Sequence, residues 1–323
     1  MSPALSEFVT TAHSPATDPH LHVWGWEIPV YLFLGGFTAG IMVLSGWALW
    51  KGRRNPRPFR TTFALASSGL FMLALATISL GMLALFLDLG PKLYVWRLYL
   101  TMEPWSPMSW GAWILLLVYP VLAAGVLLDP PKALLRYVPA LRPVAEWMGA
   151  SPIVRPAVGF ASIVTGVALG LYTGILLSAL GARPLWSSGL LGPLFLVSGL
   201  STAAAFAHWA SPEPDEQVQL AWLDNLFLTI ELGLIGLLLI GLLSSTEAHA
   251  EAARLLLGGP LTAVFWVGVV FMGILLPLVI QSLTVTHRII HTPLAPILVM
   301  VGGLALRFVI VSAGQLSHWP RLS

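Results

Sequence analysis

The sequence predicts an all-α integral membrane protein with eight transmembrane helices. Three observations predict it. Of 323 residues, 57% are hydrophobic and 9% charged, with a mean hydropathy of +0.85; soluble domains carry about 25% charged residues. The apolar residues fall into long runs, each with the roughly 20 residues needed to cross about 30 Å of hydrocarbon, too long for the strands of an outer-membrane barrel. The charged residues lie almost wholly between these runs.

The runs are 27–50, 61–88, 107–128, 153–181, 189–210, 221–243, 260–285 and 295–315. The first follows a polar tail, 1–26, rich in Pro and His and free of Lys and Arg. Lacking a basic n-region, the tail is not a cleavable signal peptide, and the first span is the expected insertion signal. That span contains Gly36-x-x-x-Gly40, and the fourth contains Gly166-x-x-x-Gly170-x-x-x-Gly174. Small residues at this spacing let helix backbones approach closely in lipid, which would fix neighbours such as Tyr31 and Tyr172. Leu32-Phe33-Leu34 in the first span is echoed by Leu194-Phe195-Leu196 in the fifth. The echo suggests two four-helix bundles, 27–181 and 189–315, followed by a short tail, 316–323.

There is no cysteine, so the chain ligates no Cys-bound iron–sulfur cluster and has no disulfide. The basic residues are concentrated in two loops rather than on a nucleic-acid-binding face. Lys51, Arg53, Arg54, Arg57 and Arg60 follow the first span, and Lys132, Arg136, Arg142 and Arg155 follow the third. The positive-inside rule therefore places the odd-numbered loops in the cytoplasm and both termini outside. The outer loops carry aromatics beside helix ends: Trp24, Trp26, Tyr94, Trp96, Tyr99, Trp105, Trp110 and Trp186. Most read as an interfacial belt; Trp26 and Trp186 are candidates for a docking surface or a pocket wall.

Four ionisable residues lie in or at the rim of the spans: Glu27, Asp88, Glu231 and Arg307. A charge at the bilayer centre costs roughly 2.5–3.5 kcal/mol on insertion scales unless it is paired or wet, and such residues mark polar ligands or proton routes. Glu231 and Arg307 fall near the middle of the sixth and eighth spans at similar depth. They read either as a structural ion pair or as part of a proton route, with Asp224, Gln281 and Thr284 as further polar steps. Glu27 and Asp88 lie at the outer end of the first two spans. With Tyr31 and Tyr172 they would supply carboxylates and phenols beside an apolar cavity, which suits a quinone, whose carbonyls accept hydrogen bonds.

The histidines argue against a b-type haem, which needs pairs within the spans. His208 ends the fifth span, His287 and His291 lie at or beyond the end of the seventh, and His13, His20, His22, His249 and His318 are in tails or loops. No metal site is expected.

Five further stretches, in order, carry a resemblance. They are Trp26-Glu27-Ile28-Pro29-Val30-Tyr31-Leu32-Phe33-Leu34-Gly35-Gly36; Asp88-Leu89-Gly90-Pro91 with Trp96-Arg97; Ser106-Pro107-Met108-Ser109-Trp110-Gly111-Ala112-Trp113; Tyr172-Thr173-Gly174 with Arg183-Pro184-Leu185-Trp186; and Leu306-Arg307-Phe308-Val309 with Ala313-Gly314-Gln315. Over nearly its whole length the chain resembles the polysulfide-reductase membrane subunit family (NrfD/PsrC-like), the quinone-handling anchors of respiratory oxidoreductases. The resemblance implies a quinone, menaquinone or ubiquinone, in the first bundle. Its ligands would fall on Tyr31, Tyr172 and Asp88, with His22, Trp26 and Glu27 nearby, and His22 as a substitute for the histidine some relatives carry near Tyr31. Proton transfer would pass through Asp88, Glu231 and Arg307. The implied partners are a ferredoxin-like iron–sulfur subunit and a catalytic subunit of the molybdopterin type. With the expected orientation, they dock on the periplasmic side of a prokaryotic cytoplasmic membrane, Arg97 and the 89–106 loop helping to dock them. The chain itself would be a non-catalytic or quinone-reactive subunit, with no haem or iron–sulfur cluster of its own. The alternative from another class is a secondary transporter or ion channel, which also keeps intramembrane charges but needs a midplane site at broken helices, for which Pro29 and Pro277 are the candidates.

Overall fold

The computed structural model describes residues 24–51, 68–90, 92–179, 181, 183–286 and 292–318. Among these, eight helices are long and apolar enough to cross a membrane, and no strand occurs. They are α1 (Glu27–Lys51), α2 (Ser68–Asp88), α3 (Pro107–Leu127), α4 (Val154–Ser178), α5 (Leu191–Ala210), α6 (Pro214–Leu243), α7 (Val264–Val285) and α8 (Leu294–Leu316). Shorter helices lie in the connections, at Arg97–Leu100, Lys132–Tyr137, Arg142–Ala150 and Glu247–Leu257. His249, expected in a loop, lies in the last of these, where its ring is within hydrogen-bonding distance of Ser187 (2.8 Å) and Thr246 (2.6 Å).

α1 is the centre of the molecule. It packs most extensively on α4, then on α2 and α5, and it reaches α8; α3 lies against α2 and α4. α5 in turn carries α6, α4 and α8, while α7 packs on α8 and α6. Lipid offers helices no hydrophobic reason to associate, so close van der Waals contact must supply the attraction, and glycines make the contact possible. A Cβ on Gly46 would stand 2.6 Å from the Gly159 carbonyl oxygen of α4, and one on Gly166 would stand 2.9 Å from the Ala39 carbonyl oxygen of α1. Gly40 faces the Gly199 carbonyl of α5, and Gly170 and Gly174 face Leu196 and Leu191 of α5. The glycine row of α4 is therefore shared between two neighbours rather than committed to one. Hydroxyls tie the same contacts: Ser162 donates to the Met42 carbonyl at 2.7 Å, and Thr38 and Thr77 lie 2.9 Å apart.

α6 begins at Pro214, not at 221 as expected, and its 30 residues span about 45 Å. The reason is local. Pro214 suits a first helical turn, Asp215 and Glu216 follow at the positive end of the helix dipole, and Ser211 donates to Glu216 at 2.6 Å. Its buried residues repeat with the heptad period: Ala221, Leu228, Ile235 and Leu242 at one position, Asp224, Glu231 and Leu238 at the other. Two acids thus occupy inward places that a leucine would otherwise fill.

Neither Pro29 nor Pro277 interrupts its helix. Pro29 lies in the first turn of α1. In α7, residues Val264–Leu275 wind as a π-helix, and α-helical winding resumes at Leu276, one residue before Pro277, whose nitrogen has no hydrogen to donate. The π-helical part meets α8 where Gly273 crosses Gly302; a Cβ on Gly273 would stand 2.6 Å from the Gly302 Cα.

The beginning of α1 is clasped to the end of α8. The Trp24 backbone N–H donates to Gln315 Oε1, and Gln315 Nε2 donates to the Trp24 carbonyl, each at 3.1 Å. The Trp24 and Trp186 rings are 5.0 Å apart, and Trp186 Nε1 donates to the Ile310 carbonyl at 2.9 Å beneath Gly314. Trp186, a candidate for an outer docking surface or a pocket wall, is not on the surface; it is a buried bolt between the α4–α5 connection and α8.

Candidate functional site

Two polar constellations stand out in this apolar molecule. The first gathers the carboxylates and phenols of α1, α2 and α4. Glu27 and Asp88 are half-buried and close enough for their charges to act on each other. Tyr31 and Tyr172 are buried, and their phenols act on each other and on Tyr99. Two glycines make room for the rings. Gly81 of α2 leaves its Cβ position 3.6 Å from the Tyr31 ring, and Gly111 of α3 lies directly under the Tyr172 phenol. Tyr99 comes from the short helix Arg97–Leu100; burial, and then the nearby Tyr119 phenol, push its pKa up.

Asp88 opens into a cavity of about 590 Å³. Its walls are the end of α2, the 89–106 connection and the start of α3, with Arg97, Thr101, Glu103 and Ser109 as polar groups and Val95 and Met108 as apolar ones. Ser109 pins the connection, accepting from the Glu103 N–H at 3.0 Å, while Trp110 Nε1 donates to the Pro104 carbonyl at 2.7 Å. Outside the cavity the connection exposes a broad apolar and aromatic surface, with Trp105 91% and Leu93 87% accessible. Arg97 lies over the Tyr94 ring at 4.6 Å in the same surface.

Of the expected quinone residues, Asp88 lines the cavity, and Tyr31 and Tyr172 belong to the buried cluster rather than to its walls. Trp26 is exposed and does not line it. His22 lies outside the described residues. The volume falls within the 300–1,000 Å³ of ordinary ligand sites, and the lining mixes apolar surface with a few polar groups, as such sites do. On both counts a quinone ring fits.

The second constellation lies between α5, α6, α7 and α8 and is sealed. Arg307, fully buried, donates through Nη1 to the Ser198 hydroxyl and to the Gly303 carbonyl (3.0 Å), and through Nη2 to the Phe195 carbonyl (3.0 Å), with the Phe195 ring 4.9 Å away. Ser198 is also hydrogen-bonded to Glu231. The expected pair of Glu231 and Arg307 is thus joined through a hydroxyl: Ser198 accepts from the guanidinium and donates to the carboxylate. One turn along α5, Ser201 donates to Asp224 Oδ1 at 2.6 Å, and Gln281 Nε2 donates to Asp224 Oδ2 at 2.7 Å. Asp224 and Glu231 are near enough to act on each other. Thr284 is buried but gives its hydroxyl to the Ile280 carbonyl, 2.9 Å away. Gly36 of α1 touches this site, its Cβ position 3.1 Å from Arg307 Nη2.

Sequence reasoning missed Ser198 and Ser201 as site residues and placed Tyr99 only in the aromatic belt. A lone serine in an apolar run gives no hydropathy signal, but the three-residue spacing of Ser198 and Ser201, one helical turn, was there to be read.

Comparison with known proteins adds the family. The family model described as polysulphide reductase, NrfD, matches residues 14–318. The protein is similar to a polysulfide reductase chain of Wolinella succinogenes, 32% identical over 91% of its own length and 94% of the relative. It is similar to the protein NrfD of Escherichia coli, 31% identical over 91% and 96%. It is also similar to a selenate reductase subunit of Mesobacillus selenatarsenatis, 26% identical over 89% and 73%.

Proposed function

Because the chain belongs to the NrfD polysulphide reductase family, we propose that it is the membrane anchor and quinone- or quinol-reactive subunit of a multisubunit respiratory reductase. Relatives named as parts of polysulfide and selenate reductases support a place beside catalytic subunits. The observation that carries the quinone reading is the 590 Å³ cavity with Asp88 in its wall, beside the cluster of Tyr31, Tyr172 and Tyr99. When bound there, a quinone supplies a centre that takes up or gives back two electrons and two protons. Asp88 exchanges a proton at its carboxylate with the aqueous side, and Glu27 beside it keeps that carboxylate in an acidic neighbourhood. Tyr31 and Tyr172 are buried behind the Asp88 wall, and their phenols reach the carbonyl oxygens of a ring that passes inward from the cavity. Ser109 and Trp110 hold the connecting loop in place.

The chain has no cysteine to ligate an iron–sulfur cluster, and electrons pass between the cavity and a partner. The exposed Leu93, Trp96, Leu100 and Trp105 around Arg97 form an apolar patch of the kind that marks a protein interface. It suits an iron–sulfur subunit, which would link to a molybdopterin catalytic subunit on the periplasmic side of the cytoplasmic membrane. In this reading α1–α4 form the quinone-binding bundle. α5–α8 form a second bundle in which Asp224, Glu231 and Arg307 pass protons.

The test is quinone-linked turnover in membranes carrying Tyr172→Phe together with Asp88→Asn. The reading expects turnover to fall while the complex still assembles and reduces an artificial acceptor. Normal quinone-linked turnover would remove the assignment.

A further inference from the structure

A groove of about 380 Å³ runs between α6 and α7 on the outer surface of the molecule, lined by Trp222, Asn225, Leu226, Thr229, Ser282, Val285 and Thr286. The helix surfaces beside it are apolar: Leu226, Ile230 and Val279 are all exposed. Four neutral polar side chains gathered in one lipid-facing groove are out of place there, because polar groups in hydrocarbon are costly unless they are satisfied. Two of the four are satisfied by their own helix, Thr229 donating to the Asn225 carbonyl at 2.8 Å and Thr286 to the Ser282 carbonyl at 3.0 Å. The other two are not. Asn225 Nδ2 donates to Ser282 Oγ at 3.3 Å, but Asn225 Oδ1, shielded by protein, has no donor.

The groove adjoins the sealed network by one residue on each helix. Asn225 follows Asp224 on α6, and Ser282 follows Gln281 on α7. Gln281 is fully buried, and while its Nε2 holds Asp224, its Oε1 is a second acceptor without a donor. Two orphan acceptors therefore belong to residues next to Asp224, one on Gln281, which is bonded to it, and one on Asn225, which follows it and lines the groove. Each orphan costs about 1–3 kcal/mol, and the small molecule that offers donors to both, fits the space and enters a polar cleft is water.

We propose that the α6–α7 groove is a water-filled inlet that leads from the membrane side on which α6 begins to the buried carboxylate of Asp224. Its position fits. α6 starts at Pro214 and α7 ends at Val285, so the groove lies toward that side, with Trp222 in its wall. Water there hydrates Ser282 and Thr229, and a turn of the Asn225 side chain admits it to the two shielded acceptors and through them to Asp224. For its purpose, though not for its existence, the inlet rests on the proton role proposed for Asp224 and Glu231.

The natural chain has no cysteine, so a single introduced thiol reports on its own surroundings. Methanethiosulfonates react with the thiolate, which forms in water and not in hydrocarbon. Ser282→Cys and Thr229→Cys are to be labelled with a charged, membrane-impermeant methanethiosulfonate, separately in intact spheroplasts and in inverted vesicles. Glu213→Cys, in the exposed α5–α6 connection, marks the side on which α6 begins, and Val279→Cys marks lipid. The inlet predicts that both groove variants react from the same side as Glu213→Cys, within about tenfold of its rate, and at least about a hundredfold faster than Val279→Cys. Reaction no faster than Val279→Cys, or reaction only from the opposite side, overturns the proposal. Asp224→Asn separates the two ideas: labelled groove variants beside an Asp224→Asn protein with unchanged proton release keep the inlet and remove the proton role.

Discussion

The two polar constellations are built on opposite principles. Around Asp88 the acids are half-buried, the walls belong to a connecting loop, and a cavity stands open. Around Arg307 each charge is buried and hydrogen-bonded to a neighbour on another helix. The first arrangement can admit and release a molecule of some size. The second has no room for such a molecule among its bonded groups, but a string of hydroxyl and carboxyl groups can hand on a proton. The difference teaches that an ionisable residue in a membrane span has two physical solutions, partial solvation or hydrogen bonding within the protein.

The largest expected effect tests the sealed side. Arg307→Met leaves Glu231 buried without its partner cation, a loss of about 3–5 kcal/mol. It should lower the unfolding temperature in detergent and the amount of protein in membranes, and adding Glu231→Gln should recover most of the loss. If Arg307→Met is as stable as the natural protein, the pair is not what holds α5, α6 and α8 together. The open side should respond the other way. Asp88→Asn should leave unfolding unchanged and cut quinone-linked turnover by about a hundredfold, the lower range for losing a general acid or base.

These contrasts also explain what could be read without a structure. Eight spans were legible because hydrocarbon demands long apolar runs, and Asp88, Glu231 and Arg307 because a charge in such a run is expensive. The start of α6 was not, since Pro214, Asp215 and Glu216 resemble a solvated loop until Ser211 is seen to hold Glu216. The mediation by Ser198 was hidden because it depends on how α5 is rotated toward α8, and that rotation is set by Gly199 lying against Gly36 of another helix. The cavity was hidden for a like reason: a concave space belongs to the arrangement of α2, α3 and their connection and to no residue in it. Trp186 misled because an interfacial tryptophan and a buried one follow the same pattern beside a helix end.

Between the two sites runs the seam of α1 and α5, and it offers a smaller effect. Gly40→Val drives a side chain into the Gly199 carbonyl and the Ala203 Cβ. Overpacking of this kind costs about 1–3 kcal/mol and should be visible in thermal unfolding. Gly233→Ala, where the added Cβ meets nothing, should not destabilise and should gain up to about 1 kcal/mol from helix propensity. Equal effects would mean that the seam is loose.

Smaller still is Tyr172→Phe alone. The loss of one hydrogen bond, about 1 kcal/mol, should raise the apparent KM for quinol about fivefold with little change in stability. The smallest effect concerns Tyr99. Burial holds its phenol protonated in the folded chain at pH values where an unfolded tyrosine, with a pKa of about 10, has ionised. The unfolded state then binds fewer protons, so this contribution to stability is intact below pH 10 and declines as pH rises beyond it. The difference in unfolding temperature between the natural protein and Tyr99→Phe should be flat below pH 10 and shrink or reverse above it.

The reciprocal hydrogen bonds of Trp24 and Gln315 bring the two described ends of the polypeptide to one place on one face of the membrane. A short peptide bridging them would leave every span where it is. The protein can therefore be cut in another loop and rejoined there as a circular permutant, and fluorophores attached at the two ends would sit close enough to transfer energy for as long as the clasp holds.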